Sequence, residues 1–244
     1  MFHKAVRSRI EEVGVVPVLR LSSIEDAGFA AESILQGGVP IVEIAVSVPG
    51  AVRVISSLGK QLPDIIVGAG SVLDARTAHQ CLDAGAKFLT TDGLIFEVVE
   101  YAKSQDAVVF PGALTPSEVI AAWRAGSDFV KVVPCAAVGG ENYIRALKAQ
   151  MPEIPLIAAG GVNQQTAGGF ISAGAVAIGV GEGLTPWEAI ALRQSRRISE
   201  LARRFLNFVE TARNEMVSRS EGLPVPVHAE NLKHADEFQP LQSP

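Results

Sequence analysis

The chain has 244 residues, of which 48% are hydrophobic and 19% charged, which suits one large core and the length of a single-domain α/β barrel. A net charge of −5 without a block of basic residues argues against nucleic-acid binding. No apolar stretch approaches the roughly 18 residues of a membrane span, and the start lacks the apolar core of a signal peptide, so we expect a cytoplasmic protein without membrane contact.

Eight short segments rich in Val and Ile alternate with helical patterns. This alternation is typical of βα units around a parallel sheet, and near-continuous apolarity suits strands covered on both faces. The segments are 15–20, 41–46, 65–70, 88–92, 107–113, 129–134, 155–162 and 175–181. We predict an α/β fold, a (β/α)8 TIM barrel, with a doubly wound open sheet as the alternative.

Start and stop signals between these segments support the same count. The sequences "TPSE" (115–118) and "TPWE" (185–188) each supply a capping threonine, a first-turn proline and a capping-box acid, so both are predicted to open helices. Four segments place a glycine after the last helical turn, as helix C-termini prefer. They are "LQGGVPI", "LDAGAKF", "WRAGSDF" and "ISAGAVA".

Helical spacing of apolar residues continues after the eighth unit, through 188–216, and predicts one or two closing helices. We therefore assign a single barrel domain to residues 1–216. Residues 217–244 contain prolines and no period, which predicts a tail that is extended or disordered, or that packs on a neighbouring subunit.

Charged side chains are rare in the predicted strands. They are Arg20, Glu43, Asp92 and Lys131, with Glu182 just past the eighth strand. Barrel active sites are built at the C-terminal ends of the strands, so we expect these residues at one mouth, with Lys131 and Glu43 deepest.

A lysine within the apolar sequence "FVKVVP" needs a physical reason. In a dry pocket the pKa of an amine can fall far enough for it to attack a ketone and form a Schiff base, and a nearby carboxylic acid can then transfer protons. Lys131 and Glu43 are the candidates. The alternatives are a structural ion pair inside the barrel, or a lysine that points outward between helices.

Glycines in "AAGGVN" (158–163) and "GVGEG" (179–183) follow strands seven and eight, where backbone amides commonly hold phosphate in barrels. The alternative is that they merely permit tight turns. For Asp92, a helix N-cap is an alternative to a role in the site. Two cysteines and scattered histidines suggest no metal site, and Cys135 is interpreted as a small apolar filler.

The sequences "VVPVLR", "VEIAVSVPGA", "IVGAGSVL", "FVKVVP" and "AAGGVN…AGAVAIGVG" together resemble the 2-keto-3-deoxy-6-phosphogluconate (KDPG) and 4-hydroxy-2-oxoglutarate (KHG) aldolases over about residues 5–210. The resemblance implies a homotrimeric barrel of the Entner–Doudoroff pathway. It also implies a class I mechanism whose covalent imine to Lys131 replaces any metal or cofactor.

The same resemblance implies roles for individual residues. Lys131 would be the Schiff-base lysine and Glu43 the acid/base. Ser71, where the family usually has threonine, would bind the pyruvate carboxylate. Arg20 matches an arginine of many members, whereas others carry it at the position of Ser47 here, so carboxylate binding depends on Arg20.

Departures from the family pattern concern the substrate. Thr91 and Asp92 replace Ser-Pro, Ala158 to Gly161 replace Pro-Thr-Gly-Gly, and Glu182 replaces a phosphate-binding serine. A carboxylate within about 5 Å of a phosphate would cost roughly 3 kcal/mol per charge pair. Either Glu182 turns away and leaves the phosphate to the amides of Gly160, Gly161 and Gly181, or the substrate carries no phosphate.

The sequence hypothesis is a class I aldolase that cleaves a 2-keto-3-deoxy sugar acid, KDPG in the first place, to pyruvate and glyceraldehyde 3-phosphate. The predicted partner is thus a small keto acid. One alternative is an aldolase for an unphosphorylated keto acid such as 4-hydroxy-2-oxoglutarate. Another is a catalytically silent barrel that acts as a binding or assembly subunit.

Overall fold

All eight predicted segments form strands in the computed structural model, which describes residues 2–221. The fifth segment is divided by Pro111, so nine strands result. They are β1 Val15–Leu19, β2 Ile41–Ala45, β3 Ile66–Gly70, β4 Phe88–Thr90, β5 Val108–Phe110, β6 Gly112–Ala113, β7 Val130–Val132, β8 Leu156–Ala159 and β9 Ala177–Val180.

The strands form one parallel sheet in the order β5-β4-β3-β2-β1-β9-β8-β7-β6. β5 and β6 stand at opposite ends of this order, yet Pro111 alone separates them in the chain, so the sheet closes into a ring. The carbonyl of Pro111 accepts a hydrogen bond from the amide of Lys131 (2.9 Å), which ties β7 to the break. The (β/α)8 barrel is confirmed, and the doubly wound alternative is wrong.

Helices alternate with the strands and cover the ring. They are α1 Phe2–Val13, α2 Ile24–Gln36, α3 Ala51–Gln61, α4 Ala75–Asp83, α5 Phe96–Ser104, α6 Pro116–Arg124, α7 Glu141–Gln150, α8 Ala167–Ser172, α9 Trp187–Ala191 and α10 Ser195–Ser220. A short 3-10 turn, Ala136–Val138, precedes α7. Within the described range, no helix is both long and apolar enough to cross a bilayer.

One of the two predicted capping boxes forms. The Thr115 hydroxyl accepts from the Glu118 amide, and the Glu118 carboxylate accepts from the Thr115 amide, so α6 begins as expected. At 185–188 the predicted helix start is confirmed, since α9 begins at Trp187, but the predicted cap is wrong: the Thr185 hydroxyl donates to the carbonyl of Gly181 instead, and α9 has no side-chain cap.

The four predicted helix-ending glycines occur where a left-handed backbone is needed. Gly38, Gly85, Gly126 and Gly174 have φ of 92°, 105°, 87° and 104°, a region that side chains disfavour. Each helix can therefore reverse directly into the next strand.

The long helix α10 is tied to the barrel through Arg213. The guanidinium of Arg213 donates to the carbonyls of Glu11, Glu12 and Val176, which precede β1 and β9, and so lies at the end of the barrel opposite the strand C-termini. The helix continues to Ser220, past the predicted boundary at 216. The rest of the predicted tail, 222–244, lies outside the described residues.

Candidate active site

A cavity of about 570 Å³ opens at the C-terminal ends of the strands. Its lining includes seven of the predicted site residues, drawn from the ends of β1, β4, β8 and β9 and from the middle of β7. They are Arg20, Asp92, Lys131, Gly160, Gly161, Gly181 and Glu182. The prediction that the charged residues of distant segments meet at one mouth is confirmed for Arg20, Asp92, Lys131 and Glu182.

Lys131 is the central residue of β7 and its side chain points into the cavity. The residue is 3% exposed, and Nζ donates to the hydroxyl of Thr90 (3.1 Å) and to Oδ1 of Asp92 (3.4 Å). The alternative of an outward, snorkelling lysine is therefore wrong. The two acceptors are Thr90, the last residue of β4, and Asp92, which follows that strand. They hold the amine beside a cavity large enough for a small molecule.

Glu43 occupies the middle of β2 and is 1% exposed. It is in register with Val18, which lines the cavity, and neighbouring residues in register point to the same face of a sheet, so the carboxylate faces the barrel interior. Among the described residues, neither carboxylate oxygen has a hydrogen-bond partner. A structural ion pair with Lys131 is thus absent from this structure; Lys131 pairs with Asp92.

An unpaired buried carboxylate is costly, and such groups are expected mainly at functional positions. The local sequence makes room for it: a Cβ at Gly70 would overlap with Oε1 of Glu43. Glycine on the adjacent strand is therefore what allows the Glu43 side chain to lie across β3.

Arg20 and Ser71 are brought together after β1 and β3. The Nη2 group of Arg20 donates to the Ser71 hydroxyl (3.2 Å) and reaches Oδ1 of Asp92 at 3.5 Å. Ser71 has φ of 57°, a left-handed conformation that turns the chain sharply at the end of the strand. The Arg20 side chain is half exposed (52%), so its guanidinium can also bind an incoming anion.

Asp92 lies between the two cations of the site. Burial acts to raise the pKa of its carboxyl, but the Ser71 hydroxyl and the charges of Lys131 and Arg20 outweigh burial and leave that pKa below its ordinary value. The alternative that Asp92 caps a helix is wrong, because the N-cap of α5 is Ile95.

Thr91 is not brought into the cavity. It is fully buried; its hydroxyl accepts from the amide of Gly112 (3.2 Å) and donates to the carbonyl of Gly93. It thus joins β4 to β6 across the break at Pro111. The residue that contacts Lys131 is its neighbour Thr90, the last residue of β4, which was not predicted as a site residue although Asp92 follows it by only two positions.

Gly160 and Gly161 confirm the interpretation that they permit a tight turn, and their binding of phosphate stays a prediction. Their φ values of 80° and 84° require glycine, and a Cβ at Gly160 would lie 2.7 Å from the Cα of Pro134. They also line the cavity, together with Asn163, which the sequence analysis did not assign to the site. Glu182 is exposed and lines the cavity beside Gly181.

Cys135 lies near this loop but outside the cavity lining. Burial raises the pKa of its thiol to about 11, and Sγ faces the carbonyl of Gly160 at 3.7 Å. The interpretation as an apolar filler is confirmed. Among residues 2–221, no group of three or more His, Cys, Asp or Glu side chains is arranged to hold a metal ion.

Comparison with protein families finds one model, described as KDPG and KHG aldolase, that matches residues 6–201. A 2-dehydro-3-deoxy-phosphogluconate aldolase of Pseudoalteromonas atlantica is 28% identical over 189 residues, which cover 78% of this chain and 88% of that protein. The KHG/KDPG aldolase of Escherichia coli K12 is 29% identical, with 78% and 89% covered.

Solved structures of KDPG aldolases also superpose on this chain. KDPG aldolase of Legionella pneumophila, with pyruvate captured as a covalent carbinolamine, superposes with a TM-score of 0.75 at 26% identity and covers 81% of this chain and 96% of its own. A cube-shaped cage designed by fusing symmetric oligomeric domains has a TM-score of 0.78 at 25% identity, covering 86% and 77%.

Proposed function

Because this chain belongs to the KDPG and KHG aldolase family, we propose that it is a class I aldolase in which Lys131 forms the covalent imine with the keto acid. The observation that carries this proposal is a buried amine, 3% exposed, at the wall of a cavity at the strand C-termini. Lysine in such a setting is a suitable nucleophile toward a carbonyl carbon.

Arg20 and Ser71 would orient the substrate. Both present donors at the ends of the strands that flank β2, and an arginine half exposed to solvent can bind a carboxylate without the full cost of burying its charge. With the carboxylate held there, the adjacent keto carbon would lie toward Lys131. Positioning of this kind supplies much of the rate in two-reactant steps.

Glu43 would move protons during cleavage of the carbon–carbon bond. Once the imine has formed, Glu43 accepts the proton of the C4 hydroxyl, the C3–C4 bond breaks, and its electrons flow into the iminium to give an enamine and an aldehyde. The same carboxylic acid then gives its proton to C3, and hydrolysis releases pyruvate. A buried carboxylate without other partners is suited to this task because no competing hydrogen bond fixes its oxygens.

We propose KDPG as the substrate and pyruvate and glyceraldehyde 3-phosphate as products, with the amides of Gly160, Gly161 and Gly181 available to the phosphate. One observation favours a second candidate, an unphosphorylated acid such as 4-hydroxy-2-oxoglutarate: Glu182 lines the same part of the cavity. The silent-barrel alternative is disfavoured by the family membership and by the position of Lys131.

The test is cleavage of each substrate by the full chain, measured as pyruvate released. We expect turnover of KDPG by the unaltered chain and none above background by Lys131→Ala. Faster turnover of 4-hydroxy-2-oxoglutarate than of KDPG would select the second candidate. Turnover by neither, or equal turnover by Lys131→Ala, would contradict the proposal.

We further propose that the protein is a cytoplasmic homotrimer. Two large apolar side chains that follow β3 and begin α5, Leu73 and Phe96, are 61% and 56% exposed, and exposed apolar surface often marks an interface. Light scattering should give the mass of three 25.7 kDa chains, and the mass of one chain would contradict this.

A further inference from the structure

Asp92 contacts both cations that the proposed reaction uses. Its Oδ1 accepts from Nζ of Lys131 at 3.4 Å and lies 3.5 Å from Nη2 of Arg20. Its side chain is 45% exposed and lines the same cavity as Lys131, so the carboxylate is next to both the reacting nitrogen and the space for the substrate. This inference rests on the proposed imine chemistry of Lys131.

Imine formation from an ammonium group requires two protons to move from nitrogen to oxygen. The –NH₃⁺ group becomes –NH⁺=, and the carbonyl oxygen leaves as water. A carboxylate adjacent to the nitrogen can move both protons and return to its starting state. Such positioned proton transfer typically contributes about 10²- to 10⁴-fold to a rate.

We propose that Asp92 is the catalytic residue that moves protons at the Lys131 nitrogen during imine formation, while Glu43 serves the carbon atoms. The geometry distinguishes the two carboxylates: Asp92 is hydrogen-bonded to Nζ, whereas neither oxygen of Glu43 has a partner among the described residues.

Asp92 carries the two protons one after the other. Asp92 accepts one proton from Nζ, and the amine lone pair forms the C–N bond. As the carbonyl π bond breaks, the carbonyl oxygen accepts that proton from Asp92. Asp92 then accepts a second proton from the nitrogen and delivers it to the carbinolamine hydroxyl. Water leaves, the nitrogen lone pair forms the C=N bond, and Asp92 is again a carboxylate beside the iminium.

The charge state of Asp92 suits this role. Burial is outweighed by the Ser71 hydroxyl and by the neighbouring cations, so the carboxyl pKa lies below its ordinary value of 3.8 and the group is in its proton-accepting form at neutral pH. The Thr90 hydroxyl accepts from the same nitrogen at 3.1 Å, which helps to orient the amine but offers no base.

The experiment separates the nitrogen step from the carbon step. Full-length protein is mixed with pyruvate and quenched with borohydride at increasing times, which gives the rate of imine formation. Deuterium entry into the pyruvate methyl group in D₂O reports proton transfer at carbon. We expect Asp92→Asn to slow imine trapping about 100-fold, and Glu43→Gln to trap at the unaltered rate while losing methyl exchange.

A purely structural role of Asp92 is tested by rescue. The cavity is open, so added formate should reach Nζ in Asp92→Ala and raise the trapping rate in proportion to its concentration, whereas equal chloride should not. If the asparagine variant fails to fold, Asp92→Glu takes its place. Because it keeps the carboxylate, it should retain part of the trapping rate.

Each outcome has a distinct meaning. Trapping by Asp92→Asn at the unaltered rate, slow trapping by Glu43→Gln alone, or no rescue by formate would overturn the role of Asp92 and leave the aldolase proposal intact. No trapping by the unaltered chain would instead contradict the proposed function itself.

Discussion

Gly70 leaves the space that Oε1 of Glu43 occupies, because a Cβ on Gly70 would overlap with that oxygen. We therefore predict that Gly70→Ala displaces the carboxylate and lowers kcat for aldol cleavage by about 100-fold, the usual scale for a lost acid/base group. Borohydride trapping of pyruvate should persist, since Lys131 is untouched.

The matched control for that substitution is Gly28→Ala in α2. A Cβ at Gly28 meets no atom within 4 Å, and replacing glycine by alanine within a helix stabilises it by about 1 kcal/mol. The control should keep full activity. If Gly70→Ala is equally active, Glu43 does not have the role assigned to it.

The exposed carboxylate of Glu182 is predicted to weaken binding of a phosphorylated substrate. Glu182→Ser and Glu182→Gln both remove the charge, so each should raise kcat/KM for KDPG about tenfold relative to unphosphorylated 2-keto-3-deoxygluconate, given partial solvent screening. The measurement is the ratio of the two rates for each variant. A ratio that does not change would show that the phosphate binds away from Glu182.

The capping box at α6 is predicted to contribute to stability and not to catalysis. Thr115→Ala removes the acceptor for the Glu118 amide and should lower the free energy of unfolding by about 1 kcal/mol, with kcat unchanged. Urea unfolding measures the difference. The neighbouring exposed Ser117→Ala is the control and should stay within about 0.5 kcal/mol of the unaltered chain; an equal loss in both variants would argue against the cap.

The lowered pKa of Asp92 predicts a pH dependence of stability. Because the folded state holds the ionised form more strongly than the unfolded state does, its stabilising contribution is complete above the ordinary pKa of 3.8 and is lost as pH falls through the lower folded value. The difference in unfolding free energy between the unaltered chain and Asp92→Asn should be constant from about pH 5 to 8 and shrink in the acid range below. A difference that changes near neutral pH, or persists unchanged in acid, would contradict this.

The sequence predicted the barrel well, because each strand is buried on both faces and each reversal needs its own local signal. The Val and Ile runs and the left-handed glycines, such as Gly85 and Gly174, are properties of short segments. The failed cap at Thr185 shows the limit of that reasoning: its hydroxyl is used by the carbonyl of Gly181, a contact made by the folded loop.

The candidate site was predictable as a set of residues but not as a set of contacts. Buried charge in apolar strands identified Lys131 and Glu43, and the resemblance supplied their roles. The partner of Lys131 is Asp92, two residues past the end of β4, and Thr91 turns to the backbone while Thr90 faces the amine. Which of two adjacent residues points inward depends on strand register and curvature, which a segment of three residues does not reveal.

The central claim is that the Lys131 amine forms an imine with a keto acid. Borohydride reduction of the full chain in the presence of pyruvate, followed by peptide mass mapping, tests it most directly. We predict the mass of a reduced pyruvate adduct on the peptide that contains Lys131, and no adduct in Lys131→Ala. An adduct on a different lysine, or none on the unaltered chain, would contradict the account.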